Sequence, residues 1–339
     1  MKKNDQLILV TGGAGYVGAV LVEKLVNSGK KVSLFDRFFF GKDPVEHLKN
    51  KVEFVKGDIR QIPAKLLEGV TAVIHLAALS NDPTADFAPE ANFQINTQAT
   101  KDLAKLAKAA GVKRFIFASS CSVYDKGIEA ADRIRDENSE VAPKTVYSSS
   151  KHKAEKELLK LSDNKFCVVI LRTGTVYGYS PRMRYDLVAN SMVRDALSLG
   201  RIKVYCGGIQ WRPLVDVEDA AKAYIVALEA PAESVGGEIF NITFDNFQIK
   251  DLAKITQETL NKYFSIKAEI IFDQVDRKDR SYRVADGKAK KILKFSPQIS
   301  PQQSILKMVK NIKKRRLTDF DNPVYYNIDW MKPVLAKEI

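Results

Sequence analysis

Gly12-Gly13-Ala14-Gly15-Tyr16-Val17-Gly18 follows the apolar run Leu7-Ile8-Leu9-Val10 and opens a helix-patterned stretch from about Tyr16 to Val26. A glycine-rich turn between a strand and a helix lets backbone N–H groups close on a pyrophosphate, which rests at the positive end of the helix dipole. A second apolar run, Lys31-Val32-Ser33-Leu34-Phe35, ends at Asp36. A carboxylate there, about 20 residues past the turn, meets the ribose 2′-hydroxyl of a dinucleotide and repels a 2′-phosphate. Arg37 beside it pulls the other way, because a guanidinium at this place favours the phosphorylated cofactor. Glycines alone are common in turns, and the ordered set of strand, turn, helix, strand and terminal acid carries the reading. It implies a dinucleotide site, for NAD rather than NADP, around Gly12, Gly15, Tyr16, Val17, Gly18, Asp36 and Arg37.

Outward from the turn, strand and helix patterns keep alternating. Val52–Asp58 reads as a third strand and Ala72–Leu76 as a fourth, continuous and apolar as buried parallel strands are. Asn92–Ala110 reads as one long helix closed by Gly111, Arg114–Ala118 as a fifth strand, Tyr147–Leu161 as a second long helix and Phe166–Leu171 as a sixth strand. Such units predict an α/β, Rossmann-type doubly wound parallel sheet. After Gly178 the patterns shorten and prolines, aromatics and charges mix. The expected organisation is a dinucleotide-binding domain over residues 1–178, with 211–247 returning to it through a helix at Val217–Glu229. A smaller substrate lobe is expected from residues 179–210 and 248–339. Tyr325, Tyr326 and Trp330 suggest that the tail packs on something.

Bulk properties narrow the class. The chain has 339 residues, 45% of them hydrophobic, enough for a substantial core. No uninterrupted apolar run is long enough to span a bilayer, and Met1–Asp5 leads straight into the first strand without a signal-peptide pattern. Cys121, Cys167 and Cys206 lack metal-ligand spacing, and His47, His75 and His152 are scattered, so no metal site is expected. His75, ending an apolar strand, reads as a core residue. A cytoplasmic location fits. The formal charge of +13 is diffuse. Its densest cluster, Lys310–Arg316, reads as a solvated helix end complementing the dipole rather than a nucleic-acid or membrane contact. A positive field of this kind attracts a doubly charged nucleotide-linked substrate.

The chemistry concentrates at Tyr147-Ser148-Ser149-Ser150-Lys151. Residues four apart share a helix face. An ammonium beside a phenol eases its deprotonation, giving a general acid/base for hydroxyl–carbonyl interconversion. The stretch Ser119-Ser120-Cys121-Ser122-Val123-Tyr124 follows the fifth strand. A serine at a carboxyl-terminal strand end can bond the oxygen that the tyrosine protonates.

At this point the chain resembles the extended short-chain dehydrogenase/reductases, in particular the nucleotide-sugar epimerase/dehydratase group. The matching pieces are Thr11–Gly18, Gly57-Asp58-Ile59-Arg60, His75-Leu76-Ala77-Ala78, Asn96, Ser119–Tyr124, Tyr147–Lys151, Leu171-Arg172 to Tyr177-Gly178, Trp211–Val217 and, loosely, Asp279–Arg283. The resemblance implies NAD as cofactor, with Asp58 and Ile59 at the adenine edge, Ala77, Ala78 and Leu79 along the dinucleotide, and Asn96 and Ser119 near it. It implies Ser120, Tyr147 and Lys151 as the catalytic set, Lys151 also holding the nicotinamide ribose. Arg212 would grip the substrate pyrophosphate, with Arg280 and Asn190 as further anion contacts and Ser80, Cys121 and Ser122 facing the sugar. Pairing through the two long helices implies a homodimer.

The departures are informative too. Nucleotide-sugar dehydratases carry an Asp-Glu pair after the catalytic hydroxyl residue, and decarboxylating relatives a glutamate there. This chain has Cys121 and Ser122, and a thiol and a hydroxyl do not readily replace an acid and a carboxylate base. Cys121 is either a proton donor or a buried thiol. The expectation is epimerisation of a nucleotide-linked sugar through a transient keto-sugar, as in a 4-epimerase. The alternatives are a ketosugar reductase or sugar dehydrogenase, and a non-catalytic dinucleotide-binding sensor or assembly factor.

Overall fold

The computed structural model describes residues 6–125, 133–273 and 280–337; Asp279 of the Asp279–Arg283 motif lies outside the described residues. The central sheet has seven strands, all parallel: β1 (Leu7–Thr11), β2 (Lys31–Asp36), β3 (Glu53–Lys56), β4 (Val70–His75), β5 (Arg114–Ser120), Cys167–Thr173 and Glu238–Ile242. Across the sheet they run β3, β2, β1, β4, β5, Cys167–Thr173, Glu238–Ile242. The chain therefore starts in the middle and winds outward both ways. Order reverses between β1 and β4, and a crevice opens at their carboxyl ends.

Alternation along each strand feeds two cores. Ile8 and Val10 pack with α1 (Tyr16–Asn27) and the helix Val217–Glu229 on one face. Leu9 faces the other way, toward the helices Ala99–Ala109 and Val146–Leu159. A third core joins the helices Val188–Leu199, Ile249–Phe264 and Pro301–Arg315. Lys313, Lys314 and Arg315 form the last turn of the latter helix, so the basic cluster is a helix end over buried Met308, Val309 and Ile312. The tail closes back on the sheet domain through the helix Asn327–Leu335. Its Met331 and Leu335 are buried, and Trp330 Nε1 donates to the Phe39 carbonyl at 2.6 Å.

Two expectations need correction. The seventh strand, Glu238–Ile242, was not read as one, because Glu238 and Asn241 interrupt its apolar pattern. Asn92–Ala110 is not a uniform helix either. A short helix, Pro89–Phe93, passes through a π turn at Gln94–Gln98 before Ala99–Ala109 begins. Such single π turns recur at functional sites, and this one carries Asn96.

His75, the last residue of β4, is fully buried and polar on both sides. Thr100 Oγ1 donates to the Asn96 carbonyl at 2.9 Å, so it accepts from His75 Nε2–H at 2.8 Å, leaving Nδ1 to accept from Thr11 Oγ1 at 2.6 Å. Burial, with help from the Lys151 charge, pulls the imidazole pKa down to about 3. Below the ordinary value of about 6.5 the unfolded chain binds a proton that the folded chain refuses. Stability from this group is therefore lost as pH falls, by up to about 1.4 kcal/mol per pH unit. His75→Gln should be less stable than the parent near neutrality, and the gap should narrow toward about pH 5. Urea denaturation across that range measures it, and a constant gap would contradict a buried neutral imidazole.

Candidate active site

The crevice at the strand ends is a cleft of about 770 Å³ between the sheet domain and the elements after Gly178. Its dinucleotide half is built by close approach. Gly12 has φ +72°, and a Cβ on it would stand 2.6 Å from the Ala77 nitrogen; a Cβ on Gly18 would strike the Gly12 carbonyl. Only glycine lets β1 and β4 hand over to their loops side by side and leaves the N-terminus of α1 open to a pyrophosphate. Asp36 accepts from the backbone N–H of Ala14 at 3.0 Å and of Phe38 at 2.7 Å, which ties the end of β2 to the glycine turn. Burial raises its carboxyl pKa, and those N–H groups oppose the rise. Arg37 reaches sideways to Asp58 at 2.8 Å and lies over the Phe39 ring. Its charge is thus engaged beside Asp58, and Asp36 lines the cleft at the end of β2. The glycine cradle, which a Cβ would fill, and the carboxylate suit NAD.

Ala77, Ala78, Leu79, Asp58, Ile59, Ser80, Ser119, Ser120, Ser122, Tyr147, Lys151, Arg212 and Arg280 line the same cleft, as do the glycine-turn residues. The structure does not bring Asn96, Cys121 or Asn190 to it. Asn96 clamps the Leu79 backbone from behind, accepting from its N–H at 2.9 Å and donating to its carbonyl at 3.0 Å. The Cys121 thiol donates to the Arg172 carbonyl at 3.0 Å, and burial pushes its pKa far above the usual thiol range. A thiol so held is a packing group. Asn190 accepts from Gly178 N–H at 2.9 Å and donates to the Tyr16 phenol at 3.1 Å and the Arg184 carbonyl at 2.8 Å. That amide fixes the turn after Tyr177 and has no reach toward a diphosphate.

The helix Val146–Leu159 starts at a capping box: the Thr145 side chain accepts from Ser148 N–H, and Ser148 Oγ accepts from Thr145 N–H, both at 3.1 Å. The cap points Tyr147 into the cleft, where it shares a hydrogen bond with Ser120. Burial raises the phenol well above the ordinary tyrosine range. Asp82 adds to the rise, while Ser120 and Arg184 oppose it. One turn on, buried Lys151 donates to the Ala118 carbonyl at 2.8 Å. Desolvation lowers its pKa to about 7 against the pull of Glu155.

Several groups at the site escaped the sequence reading. Glu155 lies two turns beyond Tyr147 and is almost fully buried. It takes Arg172 bidentately at 2.9 and 2.7 Å and Ser119 Oγ at 2.5 Å. On the other wall Arg184 pairs bidentately with Asp186 at 2.8 and 2.7 Å. Buried Arg182 stacks over Phe40, 3.7 Å from its centroid, and donates to Asn327 at 2.6 Å. Among the described residues its Nε has no partner. Burial and Arg184 pull its pKa down to about 9. An anion beside it, such as a cofactor phosphate, would supply the missing countercharge. The spacing Arg182-Met183-Arg184-Tyr185-Asp186 was the available signal. Arg212 donates to the carbonyls of Trp211 and Arg280, and Arg280 pairs with Asp82 at 2.8 Å. Among the described residues no cluster of three or more His, Cys, Asp or Glu is placed to hold a metal, and no helix is long and apolar enough to cross a membrane.

Comparison with known proteins agrees with this geometry. Residues 8–243 match the NAD dependent epimerase/dehydratase family. The chain is 29% identical over 329 residues to UDP-glucuronic acid decarboxylase 2 of Arabidopsis thaliana, covering 94% of this chain and 71% of that protein. It is 29% identical over 321 residues to a putative UDP-glucose 4-epimerase of Methanocaldococcus jannaschii, covering 92% and 100%. UDP-glucuronic acid 4-epimerase from Bacillus cereus, solved with UDP-glucuronic acid and NAD, superposes with a TM-score of 0.80 at 25% identity, covering 91% and 100%. The chain belongs to the NAD-dependent epimerase/dehydratase family of enzymes, the extended short-chain dehydrogenase/reductases, with NAD as its cofactor.

Proposed function

We propose that the protein epimerises a nucleotide-linked sugar through a transient keto-sugar, as a 4-epimerase does. The observation that carries this is the cleft beside Tyr147. Ser120, Tyr147 and Lys151 supply what hydroxyl–carbonyl interconversion requires, and the two positions after Ser120 offer no acid or base for eliminating water or assisting loss of a carboxyl group. Cys121 is turned into the core, and Ser122 is a hydroxyl. NAD, when bound, accepts and returns the hydride. Tyr147 takes the proton of the sugar hydroxyl and gives it back to the carbonyl oxygen. Ser120 holds that oxygen in line. Lys151, near neutrality in its pKa, sits one helical turn away as the nearby charge that eases the exchange. Relatives are named for both UDP-glucuronic acid and UDP-glucose, so a nucleotide-linked hexose or its uronate is the substrate class. Arg212 and Arg280 are the proposed diphosphate contacts.

Two copies are proposed to pair through Ala99–Ala109 and Val146–Leu159. These helices lie side by side, bridged by Lys101–Glu157 at 2.8 Å, and Leu106 and Val146 on them, with Phe93 at the end of the preceding short helix, are exposed. Sedimentation should give a dimer mass, and a monomer at micromolar concentration would remove this assignment.

Tyr147→Phe removes the acid/base proton and keeps the ring. Turnover should fall by about two to four orders of magnitude with NAD content unchanged, and undiminished turnover would take Tyr147 out of the mechanism. Incubation with UDP-glucose and UDP-glucuronate, followed by mass spectrometry and NMR, should give a product of unchanged mass and altered configuration. A product lighter by one water or by carbon dioxide would overturn the epimerase reading.

A further inference from the structure

We propose that Asp82 determines the sugar specificity of the site: its Oδ1 takes a hydroxyl of a neutral hexose, and its charge turns away the carboxylate of a uronate. The inference rests on the nucleotide-sugar reading above and narrows its substrate class. Asp82 opens the helix Asp82–Phe87, directly after the Asn81 cap, whose side chain accepts from Thr84 N–H at 3.1 Å. It lines the cleft together with Ser120, Ser122 and Tyr147. The helix start fixes its backbone, and one carboxylate oxygen, Oδ2, is held by Arg280 from the opposite wall at 2.8 Å. The other, Oδ1, is buried and has no hydrogen-bond partner among the described residues. A buried carboxylate oxygen without a donor is costly, and a donor that arrives with the ligand removes the cost. Ser122 Oγ, in the same cleft, is likewise buried and without a partner. Each of these atoms can take a hydroxyl of a polyol.

Charge decides which polyol. The ionisable groups around Asp82 are Asp86 on its own helix, Arg280 across the cleft, and Tyr147 and Arg184 on the walls. Arg184 is already neutralised by Asp186. Arg280 is held by Asp82 itself, so a uronate reaching for that guanidinium would have to displace a carboxylate already in place. A second carboxylate beside Asp82 meets like charge with both nearby cations engaged. A hydroxymethyl or hydroxyl group at the same place meets an acceptor.

The test measures binding of UDP, UDP-glucose and UDP-glucuronate to the NAD-loaded protein by calorimetry, for the parent and Asp82→Asn. The parent should bind UDP-glucose about tenfold or more tighter than UDP-glucuronate. Asp82→Asn keeps the shape and removes the charge. It should bring the two sugars within about threefold of each other, with NAD content unchanged and UDP alone as the common reference for both sugars. Equal affinity for both sugars in the parent, or a preference that Asp82→Asn leaves in place, would overturn the assignment while leaving the nucleotide-sugar reading standing. Failure of UDP and both sugars to bind would bring down that reading and this one with it. The parent's selectivity is read independently of the variant, so a poorly folding variant does not shield the proposal.

Discussion

Glu155 is a carboxylate with almost no solvent contact, and the register of Tyr147 and Lys151 depends on how its charge is met. Arg172, on the neighbouring strand, grips it with two nitrogens, and Ser119 donates to it from the end of β5. The helix carrying Tyr147 and Lys151 is thereby bolted to two adjacent strands at the point where Ser120 emerges. Arg172 then continues the chain to Tyr124 at 2.6 Å, and Tyr124 to Asn241 at 3.0 Å, which reaches the edge strand Glu238–Ile242. Buried ion pairs add little net stability over a hydrophobic packing, but removing one partner strands the other's charge. Here the return is positional. Sliding the helix by one residue would break the bidentate Arg172 contact and the Ser119 bond together and swing Tyr147 away from Ser120.

The same carboxylate shapes the electrostatics of its neighbours. Lys151, one turn along the helix, is desolvated and loses affinity for its proton, while Glu155 pulls it back. His75, on the far side of Lys151, answers to both burial and that ammonium and stays neutral. The row from carboxylate through amine to imidazole therefore crosses from charged to uncharged within the core. The group able to change protonation near neutrality is the one that lines the cleft. Tyr147 and Asp82 oppose each other in the same way across the pocket: the aspartate's charge discourages phenolate, so proton exchange at the tyrosine is sensitive to what neutralises Asp82.

What the sequence revealed and what it concealed divides along a physical line. The glycine turn, Asp36, Tyr147 and Lys151 were legible because each is set by local spacing: a strand end, a turn of defined conformation, a helix face. Glu155 was not, although it sits four residues after Lys151. A glutamate on a helix is ordinarily solvated, and what buries this one is Arg172, a contact made by folding alone. Arg182 and Arg184 escaped for the same reason, since their meaning comes from Asp186, Phe40 and Asn327, the last of them from the far end of the chain. Asn96 was legible as a residue near the dinucleotide, but its place behind the wall, where it clamps Leu79, was not. The π turn that rotates it toward Leu79 has no residue signature, and the apolar spacing of Asn92–Ala110 looks the same with or without it. Cys121 and Asn190 matched a family pattern by position, yet their side chains are claimed by backbone carbonyls behind the wall.

The tail shows how far apart in sequence the pieces of one site can lie. Trp330 stacks on Phe40 at 6.5 Å and bonds the Phe39 carbonyl, while Asn327 receives Arg182 and donates to Ser80 at 3.0 Å. One short helix thus touches the loop after β2, the loop after β4 and the arginine pair, the three surfaces that enclose the dinucleotide half of the cleft. Tyr325 and Tyr326, just before it, belong to the other lobe's core, where Tyr185 packs edge-on to Tyr325 at 5.0 Å. The helix therefore spans both walls. Because Asn327 also holds Ser80 and the helix packs on the helix Asp82–Phe87, one element braces the dinucleotide half of the cleft and the wall that carries Asp82.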